Sequence, residues 1–187
     1  MKRIVFIIAV VALGLITVTA CGQKKEKKNM TESKTLVAYY SATGTTESLA
    51  KKIATAIGGE LYKITPEVEY SAEDLDWTVE TSRCCKENAD PSSRPAFVKT
   101  KENLDAYDVV YLGFPNWWNG APRIINTFIE AYGLKGKTVI LFMTSGGSGI
   151  QNSLKVLGKQ YPEVNFKTGK LLNGASQKTV DEWVKSL

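Results

Sequence analysis

The chain has 187 residues and a mass of 20.6 kDa, the size of one domain with a full hydrophobic core rather than of a two-domain enzyme. A hydrophobic content of 43%, a charged content of 23%, 15 Gly and 6 Pro disfavour a disordered, collagen-like or polytopic membrane protein. Histidine is absent and cysteine occurs three times, which excludes Ser-His-Asp and Cys-His hydrolytic centres, His-ligated metals and Cys-rich zinc sites. The formal net charge of +5 hints at nucleic acid only until it is divided along the chain. Six of the 24 basic residues, against Glu26 alone, precede Asn29; 18 basic and 18 acidic residues remain, and the motive for nucleic-acid binding goes with the imbalance.

Lys2 and Arg3 lead into an apolar run from Ile4 to Ile16, about the length of a signal-peptide core and short of the ~20 residues that span a bilayer. The run ends in Val18-Thr19-Ala20-Cys21-Gly22, and small residues just before a cysteine resemble the lipobox of bacterial lipoproteins. That resemblance implies a signal peptide over 1–20 and a lipid on Cys21 as the mature N-terminus. An uncleaved N-terminal anchor is the other reading. Both place the remainder outside the cytoplasm, tethered to a membrane. Residues 21–33 are polar and Lys-rich, as a solvated tether requires; near anionic lipid each lysine adds about 1 kcal/mol of attraction, or the segment is a plain spacer.

From residue 34 to 187 short apolar runs alternate with helical periodicity. Thr35 to Tyr40 is β-rich; Leu49, Ala50, Ile53, Ala54 and Ile57 then recur at helical spacing until Gly58-Gly59. Glu60 to Ile64 reads as a second strand. Thr65 to Asn103 is the least regular stretch, with Ser71 to Asn88 open to a helix and Asp90 to Pro95 closed to one. Asp108 to Gly113 and Lys137 to Met143 are apolar without alternation, as buried parallel strands are. Between them Pro122 stands as a first helical residue, and Ile124, Ile125, Phe128 and Ile129 form one apolar face ending near Gly133. Ile150, Leu154 and Leu157 mark a further helix, Asn165 to Leu172 a fifth strand, and Val180, Trp183, Val184 and Leu187 a terminal helix. Strands separated by helices predict right-handed crossovers and an α/β domain with a five-stranded parallel sheet covered on both faces.

In such a sheet ligands bind beyond the carboxyl ends of the strands. The loop after the first strand, Ser41-Ala42-Thr43-Gly44-Thr45-Thr46, opens a helix with hydroxyls and successive N–H groups, which suits a phosphate, or else simply caps the helix. It has neither the Gly-Lys-Ser/Thr of a P-loop nor the GxGxxG spacing, so a monophosphate is favoured over a triphosphate. After the third strand, Pro115-Asn116-Trp117-Trp118-Asn119-Gly120 places two tryptophans side by side. They cannot easily both point inward, so at least one is free to stack on a planar ligand. The loop after the fourth strand, Thr144-Ser145-Gly146-Gly147-Ser148, offers backbone donors with little side chain in the way, or is a flexible turn before the next helix.

The spacing of these three loops resembles the flavodoxins over essentially all of 34–187. Ser41 to Thr46 is similar to their FMN-phosphate loop, Leu112 to Trp118 to a flavin-ring loop, and Thr144 to Ser148 to the third loop. The resemblance implies a three-layer fold with strand order 2-1-3-4-5 and FMN held noncovalently at the switch between strands one and three. It implies phosphate on Ser41, Thr43, Thr45 and Thr46, the ring stacked on Trp117 or Trp118, and backbone of Asn116 to Gly120 and Thr144 to Ser148 along the ring's edges. The implied function is electron transfer between a redox protein or small-molecule donor and an acceptor. An NAD(P)H-dependent flavin reductase and a non-redox flavin-binding module use the same motifs and stay open. Two features depart from the family: its members are typically acidic and cytoplasmic, whereas this domain balances its charges and carries an export signal without a twin arginine. Cys84-Cys85 tempts toward a redox dithiol, but neighbouring Cα atoms ~3.8 Å apart strain a disulfide, and two thiols near a helix are expected instead. The acidic group Glu67, Glu69, Glu73, Asp74 and Asp76 is expected to be a solvated face.

Overall fold

The computed structural model describes residues 34–187; the expected signal peptide, Cys21 and the tether lie outside the described residues. The elements follow in the order β1 (Lys34–Tyr39), α1 (Thr45–Ile57), β2 (Glu60–Lys63), α2 (Arg83–Ala89), β3 (Tyr107–Pro115), α3 (Arg123–Tyr132), β4 (Thr138–Thr144), α4 (Gln151–Gln160), β5 (Asn165–Leu171) and α5 (Gln177–Lys185). All strand pairs are parallel, and the sheet order is β2-β1-β3-β4-β5. This is the expected three-layer arrangement, and the reversal of strand order between β1 and β3 opens a crevice at their carboxyl ends.

The central strands are apolar without alternation because both their faces are covered. On β1, Leu36 and Ala38 join a core with Phe128, Ile125 and Leu157 under α3 and α4. Val37 and Tyr39 face the other way and join Leu49, Ile53, Val180 and Trp183 under α1 and α5. The edge strands β2 and β5 are only half-covered and accordingly mix Lys and Glu with apolar residues. Near the crevice, Gly113 of β3 has no side chain because the ring of the fully buried Phe142 on β4 lies across it.

Glycines set the limits of α1. Gly44 stands before it with φ 85°, and Gly58 closes it with φ 62°, its N–H reaching Ala54 O. Helix α3 ends in the same way at Gly133. Pro122 is one place earlier than expected; it is the cap residue, and the helical backbone starts at Arg123. A larger difference concerns Ser71 to Asn88, of which only Arg83–Ala89 is helical. The preceding acidic and hydroxyl side chains satisfy the local backbone themselves: Ser71 Oγ accepts from Asp74 N at 3.1 Å, and Asp76 Oδ1 accepts from Thr78 N at 2.9 Å. Such bonds offer the chain turns in place of a helix. The solvated acidic face is thus a run of turns, and Ser82 supplies the cap where α2 begins.

Candidate functional site

The three loops singled out in the sequence meet at the carboxyl edge of β1, β3 and β4. In the first, the left-handed Gly44 turns the chain sharply into α1, so that Ser48 N finds Gly44 O at 3.0 Å while the preceding amides of the first turn have no backbone carbonyl to bond. These amides carry the positive end of the helix dipole. Thr43 and Thr45 stay exposed, their hydroxyls 3.3 Å apart, and Ala42 packs at the edge of the core. Ser41 Oγ is buried and finds no partner within the protein. Thr46 is different: its side chain turns inward, and its Oγ1 lies 2.8 Å from Thr144 Oγ1, a buried bond that ties the first loop to the third. The cavity beside this loop, about 150 Å³, is lined by Tyr40, Ser41, Gly44 and Tyr70 and by the charged Glu47, Lys63 and Glu69. Lys51, at 2.7 Å, and Lys63 accompany the Glu47 carboxylate and hold its pKa below the ordinary value.

The second loop begins with Pro115, which ends β3 opposite Thr144, and Asn116, whose N–H reaches Thr144 O at 2.7 Å. Trp117 and Gly120 then exchange two backbone hydrogen bonds of 3.0 and 2.9 Å, closing a two-residue turn. Its central residues are Trp118 with φ 46° and Asn119 with φ 60°. Left-handed backbone at a large aromatic residue is costly and marks a constrained position. Asn152 from α4 braces the turn through a 2.7 Å bond to Asn119 O. The two indoles part company as expected. Trp117 is half-buried and meets Tyr40 and Tyr70 edge-on at 5.8 and 5.6 Å, whereas Trp118 projects outward, 44% exposed. Asn116 Oδ1 is buried without a partner.

In the third loop Ser145 Oγ accepts from Gly147 N at 3.1 Å and Ser148 N at 2.9 Å, so two of the expected donors are already engaged. The residue that holds this loop from outside is Asn173, between β5 and α5: Ser145 N donates to its Oδ1 at 2.8 Å, and its Nδ2 donates to Ser145 O. A single loop asparagine has no pattern that could have singled it out. Gly146 and Gly147 face open space, for a Cβ at either would touch nothing.

A cavity of about 270 Å³ adjoins the tryptophan turn. Asn116, Trp117 and Trp118 line it together with a second group, Leu75, Trp77 and Cys84, from the stretch between β2 and β3. Sequence reasoning placed none of this second group at the site. Cys84 and Cys85 are free thiols on α2, and burial pushes the Cys84 thiol up, which keeps it protonated and unsuited to attack. Tyr70 is pinned behind Trp117 by a 2.5 Å bond to Glu87 and by the Arg83 guanidinium 3.8 Å above its ring; Arg83 in turn binds Glu87 at 2.7 Å. Burial and the Glu87 carboxylate raise the Tyr70 pKa, so it remains a neutral donor.

A doubly wound sheet with an anion-ready helix start, an aromatic turn and an open glycine loop at its switch point defines a nucleotide- or flavin-type site. The chain belongs to the flavodoxin family, whose model matches residues 34–187. No curated protein matches the chain. Among solved structures, it is 54% identical to a candidate flavoprotein from Bacteroides uniformis, the match covering 82% of this chain and 98% of that one with a TM-score of 0.80. A second candidate flavoprotein, from Bacteroides eggerthii, is also 54% identical, over 82% and 97% of the two chains with a TM-score of 0.79. A flavoprotein from Lactobacillus acidophilus, solved in complex with FMN, is 22% identical over 81% and 99% of the chains, TM-score 0.64; it shares the fold.

Proposed function

We propose that this domain binds FMN noncovalently and serves as an electron-transfer flavoprotein outside the cytoplasm, tethered to a membrane through a lipid on Cys21. The observation that carries the reading is the pair of buried, unpartnered oxygens, Ser41 Oγ and Asn116 Oδ1, one in each of two loops that meet at the switch point. Native proteins rarely leave such atoms without a partner, and a ligand with an acceptor at one end and an N–H at the other satisfies both. FMN has that chemistry. Its phosphate suits the Ser41, Thr43 and Thr45 hydroxyls and the free amides opening α1. Its ring suits Trp117 and Trp118, and its ring N–H suits Asn116 Oδ1. The Lactobacillus relative solved with FMN supports the same assignment.

Bound FMN supplies one- and two-electron transfer; the chain contributes binding, orientation and control of access. Loop one itself offers neutral donors, since residues 41–46 include no cation, and the lysine that lines the adjoining cavity, Lys63, faces the Glu47 carboxylate at 3.8 Å. The braced tryptophan turn fixes the plane in which a ring can lie, and Tyr40, Tyr70 and Trp117 exclude water from its inner side. Exposure of Trp118 and Asn119 leaves the outer edge within reach of a redox protein or a small-molecule donor or acceptor.

The test is a titration of the purified mature protein with FMN and riboflavin, followed by tryptophan fluorescence. Quenching by FMN at micromolar or lower concentration is expected; an unquenched, colourless protein ends the proposal. Rapid reduction of the loaded protein by NAD(P)H in a stopped-flow mixture would favour a reductase over a carrier. For the tether, Cys21→Ser is expected to move the protein from the membrane fraction to the soluble one, and unchanged fractionation counts against lipidation.

A further inference from the structure

We infer that Trp77, on the excursion between β2 and α2, is the second wall of the ring pocket, facing the ligand from the side opposite Trp117 and Trp118. The inference rests on the FMN reading and adds a residue to it. A planar aromatic ligand gains most when both of its faces are covered. The third loop, Thr144 to Gly149, contains no aromatic residue and supplies no second ring. The 270 Å³ cavity is lined both by the tryptophan turn and by Leu75 and Trp77. That volume lies just below the ~300–1,000 Å³ of small-molecule pockets.

Three further observations agree. Trp77 is 72% exposed, more than any other large apolar side chain among the described residues, so an indole worth burying is left in water at the mouth of an apolar cavity. Asn116 Oδ1, buried and unpartnered, belongs to the same cavity and calls for a ligand with an N–H at its edge. The smaller cavity beside the phosphate-type loop is lined by Tyr70, and the larger one by Trp117; these two rings meet edge-on at 5.6 Å, so one aromatic pair stands between the two cavities.

The excursion is held where it needs to be. Tyr70 and Arg83 clamp its two ends together, Cys84 N donates to Asp74 O at 2.9 Å, and Cys85 Sγ reaches the Trp77 carbonyl at 3.5 Å. Backbone contacts therefore fix the height of Trp77, while its side chain stays free to settle on a ring.

The experiment compares the wild type, Trp77→Ala and Trp77→Phe in titrations with FMN and with riboflavin. Trp77→Ala is expected to weaken both ligands by the same factor, about tenfold, because only the ring is touched. Trp77→Phe should recover most of that loss. Melting temperatures without ligand should coincide, since the side chain is exposed. Wild-type binding with Trp77→Ala affinity unchanged within twofold overturns the inference and leaves the FMN reading standing. Loss of FMN affinity alone, with riboflavin unaffected, also overturns it by placing Trp77 at the phosphate. A wild type that binds neither ligand removes the FMN reading and this inference together.

Discussion

Ser41→Ala should make the ligand-free domain more stable and its complex with FMN weaker. In the free domain Ser41 Oγ is buried with no partner inside the protein. A hydroxyl left that way costs about 1–3 kcal/mol, so removing it should return about 1 kcal/mol and raise the melting temperature by about 2–4 °C for a domain of this size. In the proposed complex the same hydroxyl would donate to the FMN phosphate, and hydrogen bonds to charged groups contribute about 1.5–3 kcal/mol, or about ten- to hundredfold in affinity. Riboflavin, which has no phosphate, should bind both forms equally. The assay is a thermal melt without ligand followed by fluorescence titrations with the two flavins. A free Ser41→Ala protein that melts below the wild type, or that loses FMN and riboflavin affinity alike, refutes the reasoning. The first result would mean that the hydroxyl is structurally satisfied, and the second that it does not meet the phosphate.

Two other predictions concern the scaffold. Gly113→Ala places a methyl on the Phe142 ring, overlapping its Cζ and Cε2, and that ring is fully buried. Overpacking of this kind costs about 1–3 kcal/mol or more, and the melting temperature should fall by roughly 3–10 °C. Combining it with Phe142→Leu should destabilise by less than the sum of the two changes. Glu130 is bound by both arms of Arg94, at 2.7 and 2.8 Å, and by the Tyr161 hydroxyl at 2.7 Å, and the guanidinium foremost holds its carboxyl below the ordinary 4.5. A lowered folded-state pKa gives stability that is present above that ordinary value and is lost as pH falls below it. Urea midpoints between about pH 5 and pH 3 should therefore fall less steeply in Glu130→Gln than in the wild type, and parallel curves would sink the assignment.

The strand and helix order was legible because each element carries its own period and its own stop. The runs around Val37, Val110 and Leu141 are apolar on both faces, and Gly58 and Gly133 end helices where the pattern ends. Loop chemistry was legible only where residue type dictates geometry: Gly44 had to turn the chain, and two adjacent tryptophans had to separate. Thr46 reads as another phosphate hydroxyl until the fold spends it on Thr144, for which distant spacing gives no signal. Ser71 to Asn88, left open to a helix, is helical only from Arg83 because Asp and Ser side chains compete locally with helical bonds before it, so Leu75 and Trp77, which line the cavity, were hidden in a stretch without period. Asn173 was invisible for the same reason, since its role depends on where β5 ends relative to β4.

The Arg83–Tyr70 stack joins the two ends of a twelve-residue excursion, Ser71 to Ser82, at a single point. Such a loop is an appendage with a closed neck, and the sheet beneath does not depend on its contour. A protease nick near Val79, or a foreign peptide spliced in there, would leave the body of the domain folded. New chain ends made at this place, with the old ones joined, would give a permuted protein whose opening lies beside the cavity lined by Trp77 and Trp117.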